Sequence, residues 1–85
     1  MDLQESLNYY YQVIQEQPDH VAVYHKAIEI KPDDPQLYIQ LANTLVNHNH
    51  LDGAIVFYQM ALQLEPEHPE VLQKLEGIVE KKKLG

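Results

Sequence analysis

PQLYIQLANTLVNHNHLDGAIVFYQMALQLEP, from Pro35 to Pro66, is the stretch whose reading decides the fold. Leu37, Tyr38, Leu41, Ala42 and Leu45 recur at three- and four-residue steps, which sets them on one face of a helix. Ala54, Ile55, Tyr58, Ala61 and Leu62 repeat the pattern in a second helix. Small residues at Ala42, Ala54 and Ala61 alternate with large ones at Tyr38, Leu41 and Tyr58, as two closely approaching antiparallel helices require. Between them, Asn47-His48-Asn49-His50 has no helical period, and Asn49 suits a left-handed turn. Pro35 fits a first helical position with Asp34 as its cap, and Asp52 places negative charge in the first turn of the second helix.

With these residues in view, the stretch resembles a tetratricopeptide repeat, whose 34-residue pattern runs W-x2-L-G-x2-Y, then A-x3-F, then P. Tyr38, Leu41, Ala42 and Leu45 take the first-helix sites, and Ala54, Tyr58, Ala61 and Pro66 the second-helix sites. The departures are Tyr for Trp, Leu for Tyr and Ala for Gly. The resemblance implies an all-α chain: a short right-handed α-solenoid of antiparallel helix pairs, about five helices in all.

Outward from this unit, residues 1–34 read as a degenerate copy. A helix over 1–17 carries Leu3, Leu7, Tyr10, Tyr11 and Ile14 at helical spacing and ends at Pro18. A second helix, with Asp19 as cap, runs to about Lys31 with Val21, Tyr24, Ala27 and Ile28 inward. A shift of 34 superposes Leu3 on Leu37, Leu7 on Leu41, Tyr24 on Tyr58 and Pro32 on Pro66. Asn8 and His20 fall on small-residue sites, so the first pair should pack less closely. A competing register takes Pro18-Asp19-His20 as the end of an earlier repeat, because Pro18 and Pro32 are 14 residues apart instead of 34. Residues 35–68 are the clear repeat. Residues 69–85 form a capping helix striped by Val71, Leu72, Leu75, Ile78 and Val79, with Lys81, Lys82 and Lys83 suited to its negative end.

The composition excludes several functions. Thirteen acidic residues against six lysines and no arginine give a net charge of −7, a poor match to phosphate, so nucleic acid is not an expected partner. There is no cysteine, hence no disulfide framework and no thiolate metal site. No apolar run approaches membrane-spanning length and the first residues are too polar for a signal peptide, so a cytoplasmic address is the default expectation. Ser6 and Thr44 are the only hydroxyl nucleophiles besides tyrosine, and Gly53, Gly77 and Gly85 are isolated. Neither a catalytic arrangement nor a cofactor cradle is expected. His48, His50 and Asp52 lie close in sequence but lack helical metal-ligand spacing, and read as turn residues.

Function follows from the resemblance: first helices of such repeats line a concave groove that receives a partner's peptide or helix. Carried onto this chain, the groove positions are Gln36, Ile39, Gln40, Asn43 and Asn47, extended by Glu5, Tyr9 and Gln12 on one side and Gln73 and Lys74 on the other. The carboxylate-gripping clamp of chaperone co-factors in this family is disfavoured, because Glu5, Tyr9, Gln40, Glu70 and Lys74 are mainly neutral or acidic. Two other readings stay open. The tyrosine run at 9–11 suggests a homodimer through Leu3, Leu7, Tyr10 and Tyr11. The chain could also be a non-catalytic segment of a larger enzyme, which neighbouring sequence would reveal.

Overall fold

The computed structural model describes residues 2–84, which form five α-helices and no strand. They are α1 (Leu3–Glu16), α2 (Val21–Ile30), α3 (Pro35–Asn47), α4 (Leu51–Leu64) and α5 (Pro69–Leu84). Each helix packs on the next along the chain, and α3 with α4 makes the most intimate pair. The result is elongated, 47 × 25 × 16 Å, with a radius of gyration of 13.4 Å against about 12 Å for a compact chain of this length.

The helix ends follow local chemistry. The Asp2 carboxylate accepts from Glu5 N at 2.8 Å to start α1, and Asp34 accepts from Gln36 N at 3.0 Å to start α3, with Pro35 inside the first turn. His68 caps α5 through its ring, Nδ1 accepting from Val71 N at 3.4 Å. Asn49 turns the chain between α3 and α4 at φ 61°, the left-handed conformation expected of it. One expectation fails: Asp19 does not cap α2. The residue at that position is His20, which offers no side-chain bond, so the start of α2 is held only by main chain.

α3 is the spine because it is buried on two sides. Leu37 and Leu41 join Leu7, Ile14, Val23, Tyr24 and Ala27 in one core cluster, which α1 and α2 cover. Tyr38, Ile39 and Ala42 join Ala54, Tyr58, Ala61, Val71 and Ile78 in another, which α4 and α5 cover. Phe57 borders both, stacked on Tyr38 at 6.5 Å and meeting His25 edge-on at 5.6 Å.

Two sequence expectations change here. Ile39, placed on the open groove, is 2% exposed. At 100° per residue it stands roughly 60° from Gln36, at the edge of the polar stripe and beside Ala42 and Val46, so the core takes it. Leu7, placed in a dimer face, is 6% exposed and belongs to the α1–α2–α3 core.

The first helix pair packs less extensively than the second, and Asn8 and His20, expected at its small-residue sites, are both exposed, His20 lying just outside α2. Its corner is nevertheless specific. The Tyr24 hydroxyl donates to Pro18 O at 2.7 Å, and the Tyr38 hydroxyl donates to Pro32 O at 2.7 Å. Both bonds span six residues. The segment from Pro18 to Tyr24 thus copies the segment from Pro32 to Tyr38 at a shift of 14, while Tyr24 to Pro32 keeps the spacing of Tyr58 to Pro66. The ten-residue α2 begins like a first helix and ends like a second.

Candidate functional site

With both flanks of α3 buried, one stripe remains outward: Gln36, Gln40, Asn43 and Asn47, at steps of four, three and four. A cleft opens on each side of it. Towards α1, a cleft of about 380 Å³ is lined by Gln40, Asn43, Thr44 and Asn47 from α3, facing Ile14, Gln15, Pro18 and Tyr24. Towards α5, a cleft of about 310 Å³ is lined by Val46 and Leu51 on one wall and Gln73, Lys74, Gly77, Ile78 and Lys81 on the other. The first sets the amides Gln15, Gln40, Asn43 and Asn47 beside Ile14, Pro18 and Tyr24; the second has an aliphatic floor with lysines at its rim.

The first cleft is rigidly built. The Thr44 hydroxyl, buried at its floor, lies 3.0 Å from both Pro18 O and Gln40 O, tying α3 to the α1–α2 corner. Asn43 is half-buried, and its Oδ1 accepts from the hydroxyl of the fully buried Tyr58. Asn43 therefore has a structural duty as well as a place on the cleft wall. Tyr11 reaches from α1 to Asp34, donating at 2.8 Å, which spends its hydroxyl inside the molecule.

The remaining candidates divide. Gln36, Tyr9, Gln12 and Glu5 are exposed but line neither cleft. Gln73 and Lys74 line the second. Sequence reasoning missed Gln15, Val46, Leu51, Gly77 and Lys81. Gly77 alone carried a signal, as a glycine inside a helical pattern. Of the four residues of the expected dimer face, Leu3 is 70% exposed and Tyr10 half-buried, whereas Leu7 is core and Tyr11 is hydrogen-bonded to Asp34.

Burial, reinforced by the charge of Glu70, pushes the Tyr58 phenol up to about 12. Burial, with the hydrogen bond and charge of Asp34, pushes Tyr11 up to about 12 as well. Burial also raises Tyr24 and Tyr38. Each group stays protonated in the folded chain after its unfolded counterpart, with a pKa of 10.0, has begun to ionise. Their stabilisation is complete below pH 10 and is lost as pH rises through the folded values towards 12. Melting temperature should therefore fall steeply over that interval. Tyr58→Phe should fall less steeply; an identical slope would show that Tyr58 ionises freely in the folded chain.

His48 and His50 stack at 6.4 Å in the exposed α3–α4 turn, and no group of three metal-ligating side chains forms among the described residues. None of the described helices is long and apolar enough to cross a membrane.

The family model described as tetratricopeptide repeat matches residues 21–76, from the start of α2 into α5, well over half of the chain. The chain belongs to the tetratricopeptide repeat family. The matched residues contain α3 and its outward stripe, together with Val46, Leu51, Gln73 and Lys74 of the second cleft, whereas Gly77, Ile78 and Lys81 lie beyond the match. α1, which supplies Ile14 and Gln15 to the first cleft, lies outside the match. No curated protein matches the chain. Tetratricopeptide repeats mediate protein–protein interaction, and the family is typically non-catalytic.

Proposed function

We propose that this chain is a protein-interaction module that receives an extended peptide segment or a helix of a partner along the outward stripe of α3. One observation carries the reading. Gln40 and Asn47 are exposed amides on the wall of a cleft and make no side-chain hydrogen bond among the described residues. Amides held on a rigid helix with both hydrogen-bonding functions free suit a ligand's backbone.

Self-association through α1 is the weaker reading. Leu7 is internal and the Tyr11 hydroxyl is engaged, which leaves Leu3, Tyr9 and Tyr10 as the accessible apolar surface of that helix.

A photo-cross-linking amino acid at Gln40 tests the proposal. It should capture a partner polypeptide, and the same amino acid at Val56, exposed on α4, should not. Equal capture from both positions would refute a role for the α3 stripe.

A further inference from the structure

The α3–α5 cleft contains a glycine that the packing of this chain does not require. Gly77 lies inside α5, where glycine is less favourable than alanine. A Cβ built there would meet nothing within 4 Å, so no neighbouring helix demands its absence. What the missing side chain does is leave the cleft floor open: Gly77 is exposed beside the nearly buried Ile78 and the half-buried Val46 and Leu51.

Charge adds the second part. The chain has a net charge of −7, yet four of its six lysines lie in α5. Lys82 is paired with Asp52. Lys74 and Lys81, both on the cleft wall, have no ion-pair partner among the described residues. They stand three residues before and four after Gly77, on its stripe, about 10.5 Å apart along the helix axis. Glu70 continues this stripe one turn before Lys74 and gives it a polarity, acidic at the start of α5 and basic beyond.

We propose that this cleft takes an extended segment of the pattern acidic–x–apolar–x–acidic, with the apolar side chain seated over Gly77 and the carboxylates on Lys74 and Lys81. In an extended segment, residues two apart share a face, and the outer two are about 13 Å apart. Lysine side chains easily span the small difference from the 10.5 Å between their backbones. The proposal rests on the reading of the chain as a peptide-binding module and specifies the ligand of one of its two clefts.

The test is fluorescence polarisation with a labelled peptide, Gly-Ser-Glu-Ser-Leu-Ser-Glu-Ser-Gly, blocked at both ends so that no terminal carboxylate contributes. Its counterpart with Gln for both Glu is the control. The acidic peptide should bind, more weakly as salt is raised, and the Gln peptide should bind about tenfold less well. Lys74→Gln with Lys81→Gln should remove that preference, and Gly77→Leu should abolish binding by filling the cleft. Glu70→Gln should tighten binding, the opposite sign. Gly77→Ala, with room for its methyl group, should melt no lower than the parent and should bind. If both peptides bind equally and Gly77→Leu abolishes both, the charge rule is wrong while the peptide-binding reading stands. If Gly77→Leu folds and leaves binding unchanged, the cleft is not the site and both fail for it. No binding of the acidic peptide overturns the proposal alone, since capture at Gln40 is measured independently. Should Gly77→Leu fail to fold, the exposed lysine pair decides.

Discussion

Tyr58→Ala should lower stability by about 3–5 kcal/mol, the cost of emptying a large buried aromatic site. Tyr58 is fully buried, with Ala42, Ala54, Ala61 and Val71 in the same cluster, and four of the five helices depend on that region directly or through Phe57. Small domains have only about 5–15 kcal/mol in total, so the variant should be largely unfolded at moderate denaturant. Two milder changes divide the effect. Tyr58→Phe keeps the ring and removes the hydroxyl that donates to Asn43. Asn43→Ala leaves that hydroxyl buried and unpaired, a cost of about 1–3 kcal/mol. The double variant should then be more stable than Asn43→Ala alone. Urea melts of the four proteins form a cycle, and strict additivity would show that the bond is not made in solution. Asn43 is consequently a poor probe of binding on its own, because its loss damages the core.

Ala61→Leu should cost about 1–3 kcal/mol by overpacking. Ala42, Ala54 and Ala61 are all essentially inaccessible, and they allow the α3–α4 pair its close approach. A leucine at Ala61 has no void to enter, since Tyr58 fills one side and α5 closes another through Val71. Thermal melts read the effect, and an unchanged midpoint would mean that the α4 interface is slack at this turn. Leu64, on the same helix but exposed, is the comparison: its replacement by alanine should shift the midpoint little.

The helices and the α3–α4 interface were legible because they rest on period and residue size. Tyr38, Ala42, Ala54, Tyr58 and Ala61 all lie in the core where their spacing put them, and Asp34, Pro35 and Asn49 act at the ends they mark. Ile39 was misplaced because a helical stripe has edges, and burial there depends on where α5 comes to rest. The long-range polar bonds, Tyr11 to Asp34, Thr44 to Pro18 and Tyr58 to Asn43, link residues 15 to 26 positions apart. No local pattern announces them. Gln15 entered a cleft for the same reason, as α1 must first be docked on α3 before its outer residues face anything. Asp19 failed as a cap although its residue type favours that role, because the chain turns one residue later at His20.

The carbonyl of Pro18 receives hydroxyls from two different helices, Tyr24 from α2 and Thr44 from α3. A single oxygen atom thus acts as a registration pin. It fixes how far α3 can slide along the α1–α2 corner, where packing is less extensive than between α3 and α4. A repeat array normally sets its pitch by repeating one interface. Here α2 joins the opening of one helix type to the close of another, and the pitch across that seam must be set by a local device instead. Insertions between Pro18 and Tyr24 would unpin the seam while leaving every apolar residue of the α3–α4 pair in place, so geometry would fail before cohesion does.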